Sequence, residues 1–546
     1  MPAGINIDGF SERHVTRNAR GQVVTETDPA GHQLHSRYDR FGRLVALINP
    51  NGDRWRFEYD TGERLLAQYD WAGRRTAYRY TLQGQVAEVV REPLSAADKP
   101  QRHRYGYDAL GRLASKETAG DRLEYLYGTR EVKIRRAALS AWQQAVAGGE
   151  EPQWEETLRF SRDASGNLTE EENHSGRWQH AYDALGNLTV TTSPDGRALH
   201  HLRYGSGHLL QMDLHHQGRR TELAGFERDS LHREISRSQG ALTLETRYDA
   251  AGRITLRGSR RGAHGVVFER RWRWDRLDQI IQESVTDGAG GEKYRQQLWG
   301  YDAAGQVTRR VAPHQEERFY WDAAGNRTDA PAQTVWHNLL RRLNGVRLAY
   351  DGFGRLAERH DTRQGVTQRF RYDDENRLTE VWLEGDPAFS RAEYRYDLLG
   401  RRTHKRLYRH DSREAEVITF HWHGLQMAGE ANSLTPGQTT QYVYGEDGRE
   451  PLARIDSSAA GSEVYWYHTA LNGLPERMTD AEGNTVWKGM FSTWGETQQE
   501  QGSARLAVPQ NLRFQGSAWT VTKLPAADLN DASALASTGE SHRGRR

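Results

Sequence analysis

Cysteine is absent from this 546-residue chain, so no disulfide can staple it. Lysine is scarce, with seven against 68 arginines. Charge of either sign in excess is also missing: 75 basic and 74 acidic side chains leave a formal +1. That balance excludes a sequence-wide attraction to nucleic acid or to an anionic membrane. No apolar run approaches the roughly 18 residues that cross a bilayer. The opening MPAGINIDGF lacks the basic and apolar segments of a secretory signal. The expectation is a chain made as a soluble cytoplasmic protein, without membrane insertion, exported if at all by a signal-independent route. Nucleophile elbows, phosphate loops and metalloprotease helices are missing as well. With 74 acids, some carboxylate pair meets any glycosidase spacing, so that test discriminates nothing. No enzyme activity, catalytic residue, cofactor or metal site is assigned.

What the chain does have is an unusual pairing of properties. Mean hydropathy is −0.89, low for a folded protein, yet 10% of residues are aromatic. A disordered chain would lack those rings and carry net charge. A single-layer wall wetted on both faces reconciles the two facts. The arginine excess suits such a wall, because guanidinium groups stack on aromatic faces; a codon bias of the source genome accounts for it equally well.

The most informative stretch is Arg391–Tyr408, with Tyr396-Asp397-Leu398-Leu399-Gly400-Arg401 at its centre. Tyr394 and Tyr396 are two apart and share a strand face. Asp397 suits the first position of a type I turn, and Gly400 the position that needs φ > 0. Arg401 begins the return strand. Copies start at Tyr38, Tyr69, Tyr107, Tyr182, Tyr248, Tyr301, Trp321 and Tyr350, with weaker relatives at Tyr80, Asp163, Trp274 and Tyr372. Spacings of about 20 to 30 residues mark a repeat architecture. Period-two pairs such as Phe57/Tyr59, Tyr105/Tyr107 and Phe370/Tyr372 predict strands throughout. Stacked copies are expected to set the rings side by side as an aromatic ladder that fixes register.

Tandem Y-D-x-x-G-[RN] units resemble the YD repeats of Rhs (rearrangement hotspot) proteins, shared with teneurins and the shell subunits of insecticidal toxin complexes. Tyr465–Thr469, Gly473-Leu474-Pro475-Glu476, Thr479–Gly483, Trp487 and Trp494-Gly495 look like the opening of the Rhs core domain. Asn511-Leu512-Arg513-Phe514-Gln515-Gly516 is similar to that family's N-L-R-F-x-G run. The resemblance implies an all-β fold: a long spiralling antiparallel sheet of hairpins forming an incomplete hollow shell. It also implies partners, namely a toxic polypeptide enclosed by the shell and components that deliver it.

The expected organisation is a repeat shell over residues 1–430 with an insertion at about 139–156, the start of the core segment over 431–516, and an unrelated, disordered tail over 517–546. Within the insertion, Ser140–Ala147 has short-helix character. The family's Tyr-rich stretch and D-P-x-G signature do not follow Gly516. A truncated or frameshifted gene and a deliberately toxin-less variant both fit that departure. The wall is then expected to end in an open edge through which copies self-associate.

Isolated side chains weigh less. His421 and His423 place two imidazoles on one strand face, a zinc pair lacking a third ligand, and read better as a solvated pair. His200-His201 and His215-His216 point to opposite faces. His468 suits a hydrogen bond within the wall. Each turn supplies one Asp, too few oxygens for calcium. The functional expectation is a structural scaffold that encloses and delivers a toxin. A carbohydrate-binding surface module and a nonfunctional remnant of a disrupted shell gene are the alternatives.

Overall fold

The computed structural model describes residues 4–7, 11–205, 207–262, 265–288, 293–313, 315–502, 506 and 508–513. The end of the N-L-R-F-x-G run and the tail after it lie outside the described residues. Strands dominate, and each pairs antiparallel with its neighbours in the chain. Pairing runs unbroken from Gly4–Ile7 to Gln315–Arg318, then again from Arg342–Leu343 to Thr497–Gly502. The pairing break at 319–341 holds only the small ladder Tyr320–Trp321/Arg327–Thr328 and a helical turn at Trp336–Asn338. Pairing continues without interruption past residue 430.

The turns explain why these segments are hairpins. Asp39 Oδ1 accepts the N–H groups of Phe41 (2.9 Å) and Arg43 (3.0 Å), and Oδ2 accepts Arg43 Nε at 2.7 Å. Gly42 N–H closes onto the Asp39 carbonyl at 3.0 Å, with Gly42 at φ 89°. Register shifts at Arg37/Tyr38, the mark of a bulge next to the turn. The same arrangement recurs at Asp70, Asp108, Asp249, Asp351, Asp373 and Asp397. Each of these Asp side chains thus spends both oxygens on its own loop.

The insertion forms one helix, Leu139–Gly148, ended by Gly149 at φ 72°. Arg122 stacks over its Trp142 at 4.0 Å, tying it to the sheet.

The second sheet lies against the first. Asn51 Nδ2 donates to Asp322 Oδ2 at 2.8 Å, and His103 Nε2 lies 2.9 Å from the Asp374 carbonyl, each pair 271 residues apart in sequence. Arg477 meets Asp287 across 190 residues, and Thr493 meets Glu317 across 176. Contacts of steadily advancing register describe a spiral whose second revolution (from about residue 320) rests on its first. Trp494 packs edge-on against Phe319 (5.4 Å), where that revolution returns to its start.

Burial corrects the expectation of a wall wetted on both faces. Leu209, Met212, Leu214, Leu223 and Phe226 of the first revolution form one core with Val443, Leu452, Ala453 and Ile455 of the second. The wall is two sheets thick there. The second sheet also buries a face of its own, from Leu356 and Phe370 through Tyr442 and Tyr467 to Trp487 and Leu512. No closed barrel forms among the described residues. Strand Thr497–Gly502 pairs on one side only among them, and most of its residues are exposed.

Candidate functional site: the wall and its joint

The repeat binds itself into a wall through the polar tip of each aromatic ring. Tyr38 Oη donates to the Val23 carbonyl (2.9 Å), Tyr59 to Leu44 (2.9 Å), Tyr80 to Leu65 (2.8 Å) and Tyr107 to Val86 (2.8 Å). Tyr372 reaches Leu356 (2.8 Å) and Tyr396 reaches Leu378 (2.7 Å). In every case the acceptor opens the return strand of the preceding hairpin. Trp274, Trp321 and Trp422 make the same bond with Nε1, to Ile254, Val307 and Arg402. This is why tryptophan replaces tyrosine in the cassette, since phenylalanine has no donor to offer.

Among the described residues the cassette rings of successive hairpins do not stack on one another as the expected ladder required. Arginine stands between them. Arg43 lies 4.9 Å from the ring of Tyr59, Arg64 5.1 Å from Tyr80, Arg112 4.3 Å from Tyr127, Arg233 4.5 Å from Tyr248 and Arg355 4.8 Å from Tyr372. Each guanidinium pairs with its own turn Asp and covers the next hairpin's ring, so Arg serves where Lys cannot. Tyr372→Phe should leave the Leu356 carbonyl short of a donor and cost about 1–3 kcal/mol. A fall in the guanidinium midpoint would register it; an unchanged midpoint would show the bond contributes nothing.

The second geometric feature is the joint between revolutions, which sequence reasoning missed. Arg401 is fully buried and donates to Asp397 Oδ2 (2.5 Å), Glu171 Oε1 (2.7 Å) and the Gly424 carbonyl (2.6 Å). Glu171 Oε2 also accepts Gly424 N–H at 2.8 Å. A turn arginine like every other has become the clamp between revolutions; nothing in the local motif distinguishes it. Farther along, Glu450 takes Arg237 (3.1 Å), Arg257 (3.4 Å) and Thr469 Oγ1 (2.8 Å). Burial opposes its charge, yet the two guanidinium groups outweigh that and hold the carboxyl down at about 2. Trp466 Nε1 donates to the Leu223 carbonyl at 2.6 Å, and Gln239 Nε2 to that of Tyr467 at 3.0 Å.

A third feature is the segment 508–513, laid across the buried face of the second sheet. Arg454, with no exposed surface, donates to the carbonyls of Val508 (2.8 Å) and Pro509 (3.2 Å) while paired with Asp456. Tyr467 Oη bonds Gln510 at 2.7 Å, and Asn511 bonds Glu430 at 2.9 Å. Leu512 is completely buried.

The histidines singled out above fall on both revolutions. His421 and His423 are not a solvated pair: both are partly buried, and the strand bulges between His421 and Trp422. His423 stacks on Trp178 (5.2 Å) and lies 4.8 Å from His180, while His421 lies beside His174 and His404. His200 stacks with His215 at 4.0 Å, and His201 turns to the other face. His468 is buried, 2.9 Å from Thr479 Oγ1, and burial pushes its imidazole down to about 3. Among the described residues no three His, Asp or Glu side chains converge as metal ligands.

Comparison with known proteins matches this architecture. The RHS Repeat family model matches residues 17–54, 38–75, 162–198 and 350–381, and the RHS protein model matches 464–501. The chain is 31% identical over 551 residues to double-stranded DNA deaminase toxin A of Burkholderia cenocepacia, covering 93% of this chain and 37% of that protein. It is 28% identical over 450 residues to toxin protein Tse5 of Pseudomonas aeruginosa, covering 68% of this chain and 32% of the relative. A match to the probable deoxyribonuclease RhsA of Dickeya dadantii covers 58% of this chain, also at 28% identity. The chain therefore spans little more than a third of these relatives' lengths, or less. Among solved structures, TcdB2-TccC3-TEV aligns over 94% of this chain with a TM-score of 0.62 at 15% identity. TcdB2-TccC3 without its hypervariable C-terminal region aligns over 93%, with a TM-score of 0.61 at 16% identity. Those two identities speak to fold alone. Repeat cassette, spiral sheet and relatives agree: this chain belongs to the RHS-repeat family.

Proposed function

We propose that this chain is a stretch of wall in a shell that encloses a toxic polypeptide and carries it to its target. The observation behind this reading is the spiral itself, in which a second hairpin sheet follows the first along the chain, rests on that first revolution and is clamped there by Arg401 and Glu171. A sheet joined in this way separates two volumes, which is what enclosure requires. The named toxins among its relatives supply the class of cargo, a polypeptide of the same delivery system. The wall itself is a scaffold; chemistry belongs to what it encloses. Its segment 508–513, pinned along the second sheet's buried face, fits a chain being led to the sheltered side.

Protease shielding tests this. A protease-sensitive reporter polypeptide fused after Arg546 should be cut at least about 10-fold more slowly than the free reporter, with the wall itself intact, because cleavage then waits on opening. Equal cleavage rates would sink the enclosure reading.

A further inference from the structure

We propose that the joint between the two revolutions is acid-sensitive, with His180, His201 and His423 as the groups whose protonation loosens it. The proposal deepens the enclosure reading and rests on it, since it gives the wall a condition under which it opens.

The geometry is a cluster on facing sheets. His180 and His201 stand on the same face of the first revolution, on strands Gly176–Tyr182 and Ala198–Tyr204, in register with Thr191, Leu199, Met212 and Leu214. That face is the one covered by Val443 and Ile455 of the second revolution. His423, at the end of strand Glu416–His423, reaches it from the opposite side, flat against Trp178 and 4.8 Å from His180. His180 Nε2 and His201 Nε2 are buried and have no hydrogen-bond partner among the described residues. An imidazole in that condition is comfortable only when neutral.

The surrounding charges do not rescue the cation. Facing His180 and His423 are Glu171 and Arg401; facing His201 are Arg203, Glu446 and His423. Glu171 is committed to Arg401 at 2.7 Å and to Gly424 N–H. Glu446 is committed to Arg203 at 2.5 Å and to Arg228 at 3.4 Å. A proton arriving here adds a charge whose nearest carboxylates are already taken, beside another imidazole that can charge too.

Burial lowers His180 and His201 to about 4 each and lowers His423 in the same direction. In an opened joint they titrate near 6.5, roughly the unperturbed value. The opened form therefore takes up protons that the closed form refuses. Closure is at full strength above about pH 6.5, weakens as pH falls, and levels off below about 4. At pH 5 each of the first two imidazoles favours opening about 30-fold. Glu171 is depressed below its ordinary range by the Arg401 hydrogen bond, despite burial that raises it, so its clamp fails only at lower pH. The two windows are separable.

Hydrogen exchange on the full chain, read as protection factors so that intrinsic rates cancel, tests the proposal. Peptides spanning 176–182, 198–204 and 416–426 should lose at least about 10-fold protection between pH 7.5 and pH 5, with the hairpin 56–69 as an unaffected control. The variant His180→Gln with His201→Gln should keep its protection at pH 5. His423→Gln alone serves if the double variant does not fold, with a smaller loss expected. Unchanged protection at pH 5 in the wild-type chain, or an equal loss in the variants, overturns the proposal. The reporter experiment at pH 7.5 separates the two readings. Failure to shield there condemns enclosure while leaving an acid-labile joint standing; shielding with a joint indifferent to pH does the reverse.

Discussion

Glu171→Ala is expected to destabilise the joint by about 3–5 kcal/mol, the cost of leaving a buried charge without its partner. Glu171 and Arg401 are both almost wholly inaccessible, so water cannot replace the lost carboxylate. Asp397 remains on the same guanidinium at 2.5 Å, but it also caps its own turn through the N–H groups of Leu399 and Arg401. Gly424 N–H loses its acceptor in the same substitution. Because the contact lies between revolutions, the loss should appear as earlier unfolding of residues 416–426 in denaturant, followed by peptide-resolved exchange, while the hairpin at 56–69 keeps its midpoint. A companion variant, Glu171→Gln, keeps an oxygen for the Arg401 guanidinium while removing the charge and should lose less than Glu171→Ala. If Glu171→Ala proves silent, this ion pair contributes nothing and the revolutions are held by the apolar core and the other bonds between them.

The second large effect is expected from Arg454→Ala. This side chain has no exposed surface and carries four commitments: Asp456 through Nε at 2.7 Å, Gln510 Oε1 at 3.3 Å, and the carbonyls of Val508 and Pro509. Truncation leaves a cavity and several acceptors unpaired, each worth about 1–3 kcal/mol when buried. A total loss of about 3–5 kcal/mol is the expected order. Segment 508–513 is the weaker partner, since apart from a single bridge at Leu512 it holds by side-chain contacts, where the strands beneath it hold by ladder bonds. It should come away first. Trypsin cleavage after Arg513, which is itself buried on Trp487 at 5.6 Å, is the direct readout. Accelerated cleavage there, with the rest of the second sheet still protected, is the expected pattern. Global unfolding at the same denaturant concentration as cleavage would mean segment and sheet form one unit.

The local rules were written in the residues. Asp39, Gly42 and Arg43 fix a turn within five residues through bonds no distant group can alter, and the same holds for the recurrences through Asp397. The donor bond of each tyrosine was half legible. A hydroxyl at a half-wet surface needs a partner, but the identity of that partner follows only from how successive hairpins are offset. The ring-on-ring ladder failed as an expectation for the same reason: sequence put aromatics at regular intervals, and packing inserted the turn arginine between them.

What only the tertiary structure decided is where the chain meets itself. Each strand pair adds a small rotation to the sheet, and no residue pattern states their sum. That accumulated twist brings Glu171 to Arg401, Asp53 to His337 and Trp178 to His423, across separations that shrink from 284 to 176 residues along the joint. Arg401 sits in its motif like every other turn arginine, and His423 reads as one of a pair on an ordinary strand. The sequence by itself determined the hairpin, its turn and its place in a wall. The joint, its buried ion pair and its cluster of imidazoles arise because curvature summed over many strands returns the sheet onto its own surface.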